Sequence, residues 1–202
     1  MKKHDNIFIL ATANPGKIRE MQTLLSKLNI TAITREDFGI DIEIEETGTT
    51  FLENATLKAE AICKISKLPS IADDSGLIVD ALDGKPGVYS SSFGGEKLTA
   101  AERCDYLLRQ MQNKEQRQAK FVSYIVCAFP DGKLLTETGE CKGTITYKPA
   151  GNKGFGYDPV FLPEGMTKTM AELSSEDKNN ISHRGKALNR FYKLLKSNSE
   201  DI

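Results

Sequence analysis

The sequence predicts a mixed α/β protein with a sheet that is not all parallel. Strand-like and helix-like segments alternate in the early part of the chain, and residues 119–142 read instead as an antiparallel hairpin. Residues 6–12 (NIFILAT) form a first strand running into NPGKIREMQTLLSKL. Asn14 can cap this helix and Pro15 suits its first position; Ile18, Met21, Leu24, Leu25 and Leu28 then share one face. Short strands are expected at 30–34 and 40–45. TFLENATLKAEAICKISKL opens on Thr50 with Glu53 three residues on, a capping box, and turns Phe51, Ala55, Ala59 and Ile62 inward. SIAD and GLIVDAL read as strands on either side of an acidic pair, Asp73 and Asp74. Thr99 and Glu102 start another helix. AKFVSYIVCAF, the turn PDGK and LLTETGECK make the hairpin, and GTITYK adds a strand. The Gly-rich loop PAGNKGFGYDP follows, then a short helix near MAELSSEDKN. In ISHRGKALNRFYKLLK, Ser182 is the N-cap and Ala187, Phe191, Leu194 and Leu195 point inward.

Composition narrows the function. The 202 residues suffice for a sizeable core. Lys plus Arg number 27 against 28 Asp plus Glu, so the basic excess of a duplex-wrapping protein is missing and no nucleic-acid partner is expected. The N-terminal apolar run is too short for a signal segment or membrane span. Cys63, Cys104, Cys127 and Cys141 lack any Cys-x-x-Cys pairing, which fits reduced structural thiols and a cytoplasmic location. With only His4 and His183 present, a His-rich metal site or a Ser-His-Asp triad is not expected.

Five stretches could carry chemistry, each with a plainer reading beside it. In TANPGK (12–17), a strand turns into a helix start whose free N–H groups and dipole favour anions; Thr12, Asn14 and Lys17 could add donors. The plainer reading is a helix cap and a surface lysine. It is not a Walker A loop, because the glycine–lysine spacing differs. Glu45 and Glu46 in EIEETG read, taken alone, as a solvated acidic face. In ADDSG, two adjacent carboxylates end an apolar run; a divalent cation such as Mg²⁺ would relieve their repulsion, whereas an Asp-Ser-Gly turn needs no ligand. KGFGYDP (153–159) offers close backbone approach and aromatic stacking, or only a turn with a packed Phe and Tyr. Lys178, His183 and Arg184 crowd a helix start, where cations oppose the dipole. They form either a patch for phosphates and an electron-rich base edge or a basic surface cluster.

Taken together and in this order, TANPGKIREM, EETGTTFLENATLKA, IADDSGLIVDALDGKPGVYS, PAGNKGFGYDPVF and MAELSSEDKNNISHRGKAL resemble the inosine triphosphate pyrophosphatase family, the bacterial dITP/XTP pyrophosphatases in particular. The resemblance spans residue 12 to about residue 190. It implies one two-lobed domain over 1–202 with a long mixed central sheet, helices on its faces and an active-site cleft between the lobes. It also implies a homodimer, a Mg²⁺ requirement, and hydrolysis of ITP, dITP and XTP to monophosphate and pyrophosphate. A pyrimidine-preferring pyrophosphatase and a non-catalytic nucleotide-binding protein are the alternatives. By the same resemblance Thr12, Ala13, Asn14, Pro15, Gly16 and Lys17 match the triphosphate turn, and Lys58 a phosphate contact. Asp74 matches the catalytic proton acceptor and metal ligand, supported by Asp73, with Glu45 and Glu46 as further metal acids. Ser75 matches a substrate contact, and Phe155, Gly156, Tyr157, Asp158, Lys178, His183 and Arg184 match nucleoside and base contacts. Residue 13 is Ala where the family often has Gly, and Ser92 stands where bacterial relatives usually carry Arg.

Overall fold

The computed structural model describes residues 6–199; His4 lies outside them. Six strands form one sheet in the order β2-β1-β3-β4-β5-β6. β1 (Ile7–Leu10) runs parallel to both β2 (Thr31–Thr34) and β3 (Ser70–Val79). β3, β4 (Gln118–Ala128), β5 (Leu134–Ile145) and β6 (Phe161–Pro163) are successively antiparallel. The sheet is therefore parallel at one edge and antiparallel at the other.

The helices begin where short-range chemistry says they should. Asn14 caps α1 (Pro15–Ser26), its Oδ1 accepting from the N–H groups of Gly16 and Lys17 at 2.9 and 3.2 Å. Full capping boxes start α2 (Phe51–Ser66) at Thr50 and Glu53, and α3 (Ala100–Gln110) at Thr99 and Glu102. α4 (Ser175–Ile181) is followed by α5 (His183–Ser199), whose first turn is capped by Ser182 through the Gly185 N–H at 3.1 Å.

Strand alternation distributes the core. On β4, Ile125 and Cys127 join Ile71, Met21, Leu25 and Phe191 under α1 and α5, whereas Val126 and Ala128 join Ala72, Ala55, Ala59 and Ile62 under α2. A third cluster, with Leu77, Leu107, Phe121, Tyr157 and Phe161, fills the other end of the sheet beneath α3. The three clusters share one sheet, and β3, β4 and β5 each run between its two ends. All four cysteines are free and buried.

Three sequence expectations need correction. SIAD and GLIVDAL are not two strands around a turn: β3 runs unbroken from Ser70 to Val79, paired residue for residue with β4. Residues 40–45 form no strand, because Ile40, Ile42 and Ile44 fold onto the α2 core instead of extending the β2 edge. The first half of GTITYK, to Ile145, continues β5 and the rest is no strand, and the added strand is instead β6.

α5 sits so close to β5 that a Cβ on Gly139 would fall on the His183 carbonyl oxygen and 2.7 Å from the Ala187 amide nitrogen. Both are backbone atoms that cannot swing aside. Gly139→Ala is therefore expected to destabilise the fold by about 1–3 kcal/mol, the usual overpacking cost. A urea titration against the unsubstituted chain measures it, and equal midpoints would show that α5 can retreat.

Candidate active site

The unbroken β3 determines what its two acids can do. Neighbouring residues on a strand face opposite sides of the sheet. Asp73 follows Ile71 toward α1 and α5, and Asp74 follows Ala72 toward α2.

Asp73 is wholly buried, at 0% exposure. Arg184 meets it through Nε at 2.9 Å and Nη2 at 2.8 Å, Ser123 donates a hydroxyl at 2.6 Å, and Lys17 Nζ stands 3.3 Å away. Burial alone would raise the carboxyl's pKa. The Arg184 guanidinium, Lys17 and the Ser123 hydroxyl outweigh it and hold Asp73 well below the usual carboxylate range. Ser75, on the same face, accepts from Arg184 Nη2 at 3.0 Å.

Asp74 lies in the wall of a cavity of about 350 Å³. Lys58, on α2, donates to it at 2.9 Å and lies 3.1 Å from Glu46. Burial pushes the Asp74 carboxyl above its ordinary value, and Lys58 and Lys17 pull back against that shift. Lys58 itself would be depressed by burial, but Asp74 and Glu46 raise it, so it stays an ammonium. Two adjacent acids therefore have opposite characters: Asp73 is locked as an anion, and Asp74 is a strained one on a cavity wall.

The cavity is completed from both ends of the chain. Thr12, Ala13, Asn14 and Lys17 line it at the start of α1, where Thr12 Oγ1 accepts from the Asn14 N–H at 3.2 Å. Phe155, Gly156, Tyr157 and Asp158 enter from the loop before β6, and Lys178, His183 and Arg184 from α4 and α5. Phe155 packs on Gly16, where no side chain fits, and Lys178 Nζ sits 4.7 Å from its ring centroid. Asp158 holds the loop by accepting from the Phe155 N–H at 2.8 Å and Lys178 Nζ at 2.6 Å, and Tyr157 donates its hydroxyl to the Ser90 carbonyl at 2.9 Å. The His183 ring stacks on Phe121 at 4.8 Å. Burial, with Arg184 adjacent, drives its pKa well below the ordinary value, so the imidazole is neutral.

Most of the expected residues meet at this cavity, but four do not line it. Asp73 stands behind the wall. Pro15 and Gly16 belong to the turn without facing the space, and Glu45 points elsewhere while Glu46 and the unanticipated Glu43 face in. Among the described residues no three His, Cys, Asp or Glu side chains gather as a metal cluster, so Glu45, Glu46 and Asp74 are not assembled as a set. Ser92 is also outside the lining; its hydroxyl turns back to the Tyr89 carbonyl at 3.5 Å. Sequence reasoning missed Glu20, which pairs with Lys178 at 2.7 Å and with Arg184 Nη1, and Ser123, the hydroxyl donor to Asp73. Glu20 did carry one signal, its place one turn beyond Lys17 on α1.

Known proteins are similar to this chain in sequence and in fold. The Ham1 family model matches residues 8–194. The protein named dITP/XTP pyrophosphatase of Aquifex aeolicus is 48% identical over 198 residues, covering 94% of this chain and 96% of that one. Its namesake from Thermus thermophilus is 47% identical, over 93% and 91%. Among solved structures, a HAM1 protein from Coxiella burnetii superposes with a TM-score of 0.86 at 40% identity, covering 95% of this chain and 98% of that one. The Staphylococcus aureus Ham1 protein gives 0.85 at 38%, covering 95% and 99%. The cavity residues from Thr12 to Arg184 fall within the matched span, and the chain belongs to the Ham1 family.

Proposed function

We propose that the protein hydrolyses non-canonical purine nucleoside triphosphates (ITP, dITP and XTP) to the monophosphate and pyrophosphate. The observation that carries this reading is Asp74: an acid of raised basicity 2.9 Å from the Lys58 ammonium, on the wall of a cavity that the turn into α1 also lines. The names of the relatives agree with it. Water attacks the α-phosphorus, Asp74 accepts its proton, and the bond to the β-phosphate oxygen breaks to release pyrophosphate. Lys17 and Lys58 hold the phosphates in line, which is where most catalysis of such transfers resides.

Mg²⁺ belongs to the same proposal. Asp74 and Glu46 converge on one cationic position, at present that of Lys58 Nζ, and both offer carboxylate oxygens at the cavity wall. This donor set fits a cation that takes one or two carboxylates and completes its shell with phosphates and water. The charge balance agrees: five cationic side chains line the cavity, while six carboxylates line or back it. A substrate of about four negative charges would be repelled without added positive charge. When bound by Glu46 and Asp74, the metal supplies charge neutralisation and Lewis acidity at the phosphates.

Base choice follows from hydrogen-bond direction. Lys178 and Arg184 are donors only. They suit the 6-oxo acceptor of hypoxanthine or xanthine and oppose adenine's amino group, and a mispaired buried donor can discriminate by ~10⁴. We also propose a homodimer. Leu52 and Tyr89, both exposed, rim a second, apolar groove that a partner copy could cover. No helix among the described residues is long and apolar enough to cross a membrane.

Incubation with Mg²⁺ and ITP, XTP, dITP, ATP, GTP or dTTP, assayed for pyrophosphate and orthophosphate, tests the reading. Pyrophosphate is expected from the first three alone; orthophosphate would indicate a phosphatase, and no product a binding protein. Asp74→Asn should lower turnover at least ~100-fold, the lower range of general-base effects, and near-normal turnover would remove Asp74 from the mechanism. Arg184→Ala should cost about 3–5 kcal/mol of stability by stranding Asp73. The ratio of kcat/KM for ITP over ATP, which cancels the folded fraction, should fall at least ~10-fold. An unchanged ratio would remove Arg184 from base recognition.

A further inference from the structure

The cations lining the cavity are not equivalent. Lys17 is matched by Asp73, Lys58 by Asp74 and Glu46, Lys178 by Glu20 and Asp158, and Arg184 by Asp73 and Glu20. Arg35 also lines the cavity, yet among the described residues it has no ion-pair partner. Its Nη1 donates to the Ile42 carbonyl at 2.7 Å, and its Nε–H is buried without an acceptor.

Its place in the sheet is equally specific. Arg35 directly follows β2, where Thr34 pairs with Leu10, and its own N–H reaches the Leu10 carbonyl at 3.3 Å. It therefore stands at the carboxyl end of a parallel strand pair, beside the point where β1 passes into the Thr12–Asn14 turn. Ligands of open α/β sheets occupy the crevice beyond such ends. Through Ile42, Arg35 is tied to the α2 side of the sheet, where Lys58 meets Glu46 and Asp74, whereas Phe155 lies with Lys178 and Arg184 from α4 and α5. With the base at the Phe155 end and the reacting phosphorus near Asp74, Arg35 lies on the far side of the chemistry from the base.

We propose that Arg35 is the ligand of the terminal phosphate, taking the γ-phosphate of the substrate and then the pyrophosphate that leaves. This inference rests on the pyrophosphatase reading above. The guanidinium is held at one corner by the Ile42 carbonyl, so its remaining N–H groups are pre-oriented, and its fork matches two phosphate oxygens. Unlike Lys17 or Lys58, it gives up no carboxylate partner on binding. An opposing role is purely architectural: through Ile42, Arg35 would only secure the 40–46 segment that carries Glu46.

Arg35→Gln and Arg35→Lys separate the two. Hydrolysis of dITP is measured with each, together with inhibition by inorganic pyrophosphate and by dIMP. Arg35→Gln should raise KM roughly tenfold or more, the scale of a hydrogen bond to a charged group, and weaken pyrophosphate inhibition by the same factor. Inhibition by dIMP should be unchanged, and Arg35→Lys should fall between. Unaltered pyrophosphate inhibition in either variant overturns the proposal, as does a fall in kcat with KM unchanged, the sign of an architectural anchor. If Arg35→Gln does not fold, Arg35→Lys carries the same comparison. Failure of the unsubstituted protein to release pyrophosphate from dITP would instead defeat the functional reading itself.

Discussion

A full negative charge at the centre of the sheet is the constraint on which the rest of the structure depends. Asp73 is completely buried, and an isolated carboxylate there would neutralise itself. It remains charged because α5 delivers Arg184, α1 delivers Lys17 and β4 delivers the Ser123 hydroxyl. Each comes from a different part of the chain. The charge can therefore be satisfied only when α1 and α5 are docked on the same face of β3. Glu20 closes the assembly by bridging Arg184 to Lys178. Removing either partner of such a pair is far more harmful than the pair's net contribution would suggest, since the other is left buried and alone.

The same strand gives its next residue the opposite task. Asp74 differs from Asp73 by one position and therefore by one face. It has Lys58 and a cavity in place of Arg184 and a packed interior. A fully neutralised acid makes a poor proton acceptor, whereas one raised by burial is a better one. Adjacent like charges are an electrostatic problem only if both face the same way. On an unbroken β-strand they become two sites with separate environments, one organising the fold and the other facing the cavity.

What the sequence disclosed follows from how far each interaction reaches. The caps at Asn14, Thr50 and Thr99 were readable because a cap involves residues within three positions. The hairpin was readable from composition and a turn. The Asp-Ser-Gly signal suggested a turn that the structure does not make, because pairing of β3 with β4 across all ten residues overrides local turn preference. Residues 40–45 alternate as a strand does, yet alternation reports only that one side is buried. Here that side meets α2, and no neighbouring strand supplies a ladder. Glu20, Ser123 and Arg35 escaped for a related reason. Glu20 meets Arg184 across 164 positions and Ser123 meets Asp73 across 50, separations at which spacing along the chain carries no information.

Internal pairing also decides what a ligand must displace in a cavity lined by cations. Lys17, Lys58, Lys178 and Arg184 each have a carboxylate within 3.3 Å, so none needs an anion to hold its place. A triphosphate must therefore compete with protein carboxylates for these cations, and its binding is an exchange of partners more than a gain of new ones. Exchange favours the ligand whose geometry returns every displaced donor an acceptor. At the proposed base end, a 6-oxo purine would offer Lys178 or the remaining N–H of Arg184 an oxygen, and adenine a second donor. Adenine would leave a displaced donor unpaired, which is the costliest outcome for a buried polar group. Selectivity in such a site arises less from attraction to the correct base than from the penalty the wrong one incurs when it displaces a satisfied pair.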